Sequence, residues 1–265
     1  MPAGPDLRQE AENLAFYRER YYVGRRFYEE IVQHYRAHLK RLLPRLGTPR
    51  DARVLDVGCG MGYLEVALDG HFRNMTAVDL ALPALRELRG RRPEVRLGVA
   101  DAARLPFLDR SFDLVTSFEI LEHVPDARRV GLEVMRVLAP GGTWVLLQHY
   151  RGDDYRHAMR LAGNLLRKLG LRKRDRPLET REVHIGARTP SGWIRYLEEL
   201  GLVVTDTIVL SVLPPLHWIP ALRARFYDLP VLTPIDHQLC RLGALSRFLA
   251  MGCLYVAQRA GEARP

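Results

Sequence analysis

Cysteine is scarce in this chain: Cys59, Cys240 and Cys253 are the only three among 265 residues. An odd, unclustered set supplies neither a disulfide framework nor a zinc site, and it fits a reducing compartment such as the cytoplasm. No apolar run reaches the ~18 uncharged residues that a membrane span requires. The stretch Met1-Pro2-Ala3-Gly4-Pro5-Asp6 lacks the basic start and apolar core of a secretion signal. Charge is plentiful, with a net balance of +9 carried mostly by arginine. That balance permits nucleic acid, anionic lipid or an anionic substrate as partner and selects none of them. A hydrophobic content of 47% over this length suffices for one large α/β domain with an elaborated edge or a small cap.

The chain is organised around residues 54–62, Val54-Leu55-Asp56-Val57-Gly58-Cys59-Gly60-Met61-Gly62. A short apolar run ends in three glycines at alternate positions, and an apolar stretch that fits a helix follows, Tyr63 to Leu68. This reads as buried strand, tight turn and helix start. Glycine accepts positive φ there and allows close approach to bare backbone. A polar ligand is expected to meet unpaired N–H groups and the positive end of the helix dipole. Asp79 lies 21 residues beyond Gly58, at the end of a second apolar run. An acid about 20 residues on is placed to accept hydrogen bonds from ribose hydroxyls in a βαβ unit.

Further along, strand and helix signals alternate. Strands are expected at 54–57, 75–79, 95–99, 112–117, 143–148, 202–210 and 253–257. Helices are expected over about 14–46, at 62–68, 83–89 and 126–138, and after the Thr189-Pro190 cap; Leu138-Ala139-Pro140-Gly141-Gly142 reads as a turn. Alternation at this interval implies a parallel sheet with helices on both faces. Ligands on such sheets bind beyond the carboxyl ends of the strands. Gly58, Asp79, Asp101 and Phe118 all fall at those ends.

Asp56-Val57-Gly58-Cys59-Gly60-Met61-Gly62 with Asp79 resembles the first two motifs of class I S-adenosylmethionine-dependent methyltransferases. Dinucleotide sites favour G-x-G-x-x-G, which this loop is not. Asp101-Ala102-Ala103-Arg104-Leu105-Pro106-Phe107, Ser111-Phe112-Asp113-Leu114-Val115 and Leu138-Ala139-Pro140-Gly141-Gly142 are similar to the later motifs. The resemblance implies a Rossmann-like, doubly wound seven-stranded α/β sheet, mostly parallel with one antiparallel strand. It implies S-adenosylmethionine as cofactor, with Asp56, Gly58, Cys59, Gly60, Asp79, Leu80, Asp101, Ala102 and Phe118 around it. The glycine turn would face the methionine part, Asp79 the ribose and Asp101 the adenine amino group, with Phe107 or Phe118 on the purine face.

Phe118-Glu119-Ile120-Leu121-Glu122-His123-Val124-Pro125-Asp126 resembles the matching segment of the methyltransferase type 11 group, which includes the O-methyltransferases of ubiquinone biosynthesis. Some members of that subgroup hold a divalent metal such as Mg through E-x-x-E-H, which maps here onto Glu119, Glu122 and His123. Without metal, His123 is placed to act as general base beside Glu122; alternatively the two only brace the loop. His149, just past the fifth strand, is a further candidate at the acceptor. The Asn/Asp-Pro-Pro-aromatic signature of base-amino methyltransferases is missing, which weighs against nucleic acid.

The expected organisation is an N-terminal helical segment at 1–46 and a methyltransferase domain at 47–265 with helical insertions at about 151–188 and 211–250. The Tyr17–Tyr22 stretch, hinged at Gly24, reads as a lid or as a packing helix. The first insertion carries an amphipathic helix, residues 155–169, with a basic face; it reads as a cap or as a peripheral contact with anionic membrane. The expected acceptor is a small or lipid-like molecule methylated on oxygen. RNA or protein methylation, and a non-catalytic S-adenosylmethionine-binding role, are the alternatives. The sequence leaves the oligomeric state open.

Overall fold

The computed structural model describes Ala15 and residues 28–149, 188–211, 238–240, 243 and 252–259. Among them a seven-stranded sheet is built from β1 (Arg53–Val57), β2 (Asn74–Asp79), β3 (Arg96–Val99), β4 (Phe112–Phe118), β5 (Leu138–His149), β6 (Leu202–Ser211) and β7 (Gly252–Arg259). The strand order is β3-β2-β1-β4-β5-β7-β6. The first five strands pair in parallel, and β7 runs antiparallel between β5 and β6. The helices are α1 (Tyr28–Leu46), α2 (Tyr63–Leu68), α3 (Leu82–Arg91), α4 (Ala127–Val137) and α5 (Pro190–Glu199).

Alternation along each strand divides the core in two. On one face Val54, Met75, Leu114, Val145 and Leu147 pack under α1, α2 and α3. On the other Leu55, Val57, Val115, Trp144 and Leu146 meet α4 and α5. Central strands are therefore buried on both sides, which explains their near-continuous apolar runs. Fully burying each such Val or Leu contributes about 1.5–3 kcal/mol.

One boundary differs from the sequence reading. Leu138–Gly142 is not a separate turn but the start of β5. Register against β4 jumps from Phe112↔Leu138 to Leu114↔Thr143, so the extra residues bulge out, with Gly141 at φ 66°. The proline-glycine signal marks that bulge rather than a break. α1 runs through Pro44 and ends at Leu46, where the sequence reading ends it. Pro44 removes one i→i−4 bond there, but it stands so near the helix end that no further turn depends on it. The Leu14–Phe27 part of the expected first helix, with the Tyr17–Tyr22 lid and its Gly24 hinge, lies outside the described residues apart from Ala15. So do nearly all of both insertions, including the 155–169 helix.

Side-chain bonds fasten the loops. Thr189 caps α5 by accepting from the Gly192 N–H at 3.2 Å, and Asp126 caps α4 by accepting from the Arg129 N–H at 2.9 Å. Each such cap is worth about 1 kcal/mol. Arg136 donates to the Leu105 and Phe107 carbonyls and pairs with Glu133 and Asp109, holding the connection between β3 and β4. Where α4 crosses α5, Gly131 lets the buried Tyr196 come close enough to donate to the Ala127 carbonyl at 2.6 Å. A Cβ on Gly131 would lie 2.4 Å from both the Tyr196 hydroxyl and Leu200 Cδ1. Gly131→Val is therefore expected to cost about 2 kcal/mol or more of stability, read as a lowered thermal midpoint. An unchanged midpoint would rule out this account of the α4–α5 contact.

Candidate functional site

The carboxyl ends of β1, β2 and β4 converge on the glycine loop. Gly58, Gly60 and Gly62 all take left-handed backbone, with φ of 79°, 54° and 79°. The chain needs glycine here for conformation and also for packing. A Cβ on Gly58 would meet Ile120 Cδ1 at 2.5 Å, and one on Gly62 would meet Leu88 Cδ1 at 2.2 Å. The space beside these two glycines is therefore filled by the protein itself.

The expectation of unpaired loop amides is corrected by the structure. Gly58 and Cys59 donate their N–H groups to the Val78 carbonyl at 2.8 and 3.1 Å. The Gly60 N–H goes to Asp79 Oδ2 at 2.8 Å, and that of Gly62 to the Cys59 carbonyl at 3.0 Å. The end of β2 lies so close to the loop that it absorbs these donors. The helix-dipole expectation weakens too, because α2 has only six residues. An anion such as a pyrophosphate would find few free donors here.

Asp79 is the fastener between loop and strand. Its second oxygen, Oδ1, accepts from the Ala81 N–H at 2.8 Å. Burial raises its pKa, while these backbone donors act to lower it. Each carboxylate oxygen has a further lone pair for a hydroxyl donor. Leu80 beside it is half-buried. Just past β3, Asp101 is exposed; its Oδ1 accepts from the Ala103 N–H at 2.9 Å, and the adjacent Ala102 is buried. Phe107 packs near Ala102 in the α4–α5 core, whereas Phe118 belongs to the opposite core. The two rings offered for the purine face thus lie on different sides of the sheet.

Under the loop sit two buried acids the protein keeps away from water. Asp56, the last residue but one of β1, accepts from the Thr116 hydroxyl. Burial pushes its pKa up to about 6, and nearby Asp79 adds to the rise. Glu65, in α2, is 1% exposed; burial and the neighbouring Asp56 hold its carboxyl well above the usual range. Its own backbone N–H acts against the rise, and the Asp56 carboxyl adds to it. A protonated Glu65 can itself donate to Asp56, which places the pair's shared proton beneath the loop. Cys59 is likewise buried, and its thiol is pushed up. Glu65 escaped the sequence reading because an acid inside an apolar helix stretch looks like an exposed position.

The segment after β4 begins with Glu119, whose φ of 56° is unusual for a side chain of this size. Such backbone costs about 1–2 kcal/mol. Glu119 Oε1 accepts from the Tyr35 hydroxyl at 3.0 Å, and its N–H donates to the Leu147 carbonyl at 3.0 Å. Tyr35 and Tyr28 both stand on α1. Tyr35 sets its ring edge on Phe118 at 5.5 Å, and the Tyr28 hydroxyl donates to the Met61 carbonyl at 3.0 Å. Glu122 is buried and His123 half-buried in the turn that follows.

The expected metal set does not assemble. Among the described residues, which include Glu119, Glu122 and His123, no three His, Cys, Asp or Glu side chains converge to hold an ion. The left-handed turn at Glu119 sends its carboxylate to α1. His149 ends β5 opposite Gly252, with its side chain outside the described set.

The Asp56 proton has a consequence for stability. This carboxyl titrates at about 6 when folded and near 3.8 ordinarily, so the folded chain binds more protons in between. Its contribution is complete below about pH 4 and fades as pH rises through about 6. Asp56→Asn is expected to flatten that decline in thermal midpoint; a decline of the same slope in the variant would sink the assignment.

Comparison with known proteins places these features. Residues 55–146 match the family described as "Methyltransferase domain". The chain is 32% identical to a sterol 24-C-methyltransferase of Neurospora crassa over 152 residues, 52% of this chain and 38% of that protein. It is 34% identical to a malonyl-[acyl-carrier protein] O-methyltransferase of Pseudescherichia vulneris over 115 residues, 43% of this chain and 46% of that one. It thus spans less than half the length of these curated relatives. Among solved structures, a chain from the complex between the Haloferax volcanii Trm112 methyltransferase activator and a methyltransferase superposes with TM-score 0.61 at 20% identity, covering 93% of this chain and 97% of that one. The YcgJ protein from Bacillus subtilis superposes with TM-score 0.55 at 20% identity, covering 84% and 98%. Residues 55–146 thus match a methyltransferase domain, and the seven-stranded sheet that contains them has the fold of these solved structures.

Proposed function

We propose that the chain transfers a methyl group from S-adenosylmethionine to oxygen on a small-molecule or lipid-like acceptor. The observation that carries this is the anchored Asp79, whose oxygens are held by Gly60 and Ala81 at the end of β2. Their remaining lone pairs suit ribose hydroxyls. The internally paired loop amides disfavour a pyrophosphate and so disfavour a dinucleotide cofactor. Asp101 takes the adenine amino group, with Leu80 and Ala102 along the base. Gly58, Cys59, Gly60 and Phe118 border the methionine end, and Asp56 supports the loop from below.

When bound, the cofactor supplies a methyl group on a sulfonium, already an excellent leaving group. The chain's own task is alignment, which can contribute several kcal/mol. His123, with Glu122 beside it, takes the acceptor's proton. Connectivity supports an acceptor site above β5. The segment beyond His149 leaves from the carboxyl edge of the sheet, as does the one beyond β6. The latter also returns there, because Gly252 pairs with His149. Both expected insertions, at about 151–188 and 211–250 of the 47–265 domain, thus start on the cofactor's side. This suits a cap over a lipid-like substrate.

A second reading has carbon as the acceptor atom. It draws on the sterol 24-C-methyltransferase relative, and the first on the O-methyltransferase relative. Neither reading uses a metal, since the three candidate ligands do not converge.

Incubation of a cell extract with the protein and isotope-labelled S-adenosylmethionine is expected to yield a labelled low-mass or lipid product bearing a methyl ether or ester. A C-methyl product would select the second reading, and label confined to RNA or protein would refute both. Asp79→Ala is expected to weaken S-adenosylmethionine binding tenfold or more, about 1.4 kcal/mol, by calorimetry. Unchanged affinity in a folded variant would remove the ribose role.

A further inference from the structure

We propose that Tyr28 is a positioning residue for the cofactor: from α1 it holds the glycine loop in its binding shape. This rests on the cofactor reading above. Three observations carry it. The first is contact. The Tyr28 hydroxyl donates to the Met61 carbonyl at 3.0 Å and reaches that of Gly62 at 3.4 Å. These are the last carbonyls of the loop, directly before α2.

The second is need. The end of β2 grips the loop by its N–H groups: Gly58 and Cys59 donate to Val78, and Gly60 to Asp79. The carbonyl side is gripped by other elements. α2 has only six residues and starts at Gly62, which is left-handed and has no side chain to cap the helix. A helix that short does not keep its shape unaided. α1 braces it at both ends. Tyr28 serves the start; about two turns further along α1, Arg36 Nη2 donates to the Val66 carbonyl at 3.3 Å. Arg92, just past α3, donates to the Glu65 carbonyl at 3.2 Å.

The third is restraint on Tyr28 itself. It is buried, with its ring centre 4.8 Å from that of Tyr63 and 3.8 Å from the Arg91 guanidinium. Burial pushes its pKa up, so the hydroxyl stays protonated and remains a donor. A loop clamped between β2 and α1 loses less freedom when a ligand arrives, and affinity gains accordingly.

The test is calorimetry on the full chain with two ligands. S-adenosylhomocysteine carries the amino-acid arm that the glycine loop faces in this reading, and adenosine lacks it. Tyr28→Phe keeps the ring contacts and removes only the hydroxyl. It is expected to weaken S-adenosylhomocysteine about fivefold, the size of one net hydrogen bond, and to leave adenosine unchanged. Arg36→Met removes the second brace and is expected to show the same pattern with a smaller factor. Equal losses for both ligands would make these contacts merely structural and overturn the proposal. Unchanged affinities, or a loss for adenosine alone, would overturn it too. Wild-type protein that binds neither ligand would instead refute the cofactor reading itself.

Discussion

The site depends on one carboxylate that ties two strands' ends together. Asp79 accepts from Gly60 on one side and from Ala81 on the other. The glycine loop cannot lift from β2 without breaking a charge-assisted bond inside a buried pocket. Val78 reinforces the same junction by accepting from Gly58 and Cys59. The loop is therefore shaped before any ligand arrives. What it presents is a fixed rim with most of its donors already consumed, which favours a ligand that brings its own donors.

Around that junction the two cores divide the labour. The α1–α3 side supplies the tyrosines that touch the loop and the strand tip, and the α4–α5 side holds the buried indoles Trp144 and Trp193. Arg136 spans the border between them and the β3–β4 connection, so the segment bearing Asp101 is held from behind by several bonds at once. A network centred on one guanidinium loses less conformational freedom per contact than separate surface pairs would.

Much of the sheet was legible because buried strands and glycine turns leave strong local signals. β1, β2 and β4 appear within a residue of where the apolar runs place them. Thr189-Pro190 announced α5 through cap chemistry. β7 was also placed correctly, since a buried strand keeps its apolar run even far along the chain. The failures share a cause: they depend on what meets a residue in space. Nothing local tells that Ile120 and Leu88 occupy the room beside Gly58 and Gly62. Nothing local tells that the loop amides face Val78 and Asp79. Tyr35 and Glu119 are 84 positions apart, so their bond is invisible to any window of sequence. The Pro-Gly-Gly stretch misled because a bulge and a turn demand the same residues.

The placement of β7 has a consequence for how the chain acquires its shape during synthesis. The strand that comes last in the described chain is not at a margin but lies between β5 and β6. Until residues 252–259 leave the ribosome, β6 has no partner and β5 shows an open edge. An emerging chain must carry those apolar edges unpaired for dozens of residues. Such a topology rewards late, cooperative closure and leaves the nascent protein dependent on whatever shields exposed strands in the meantime.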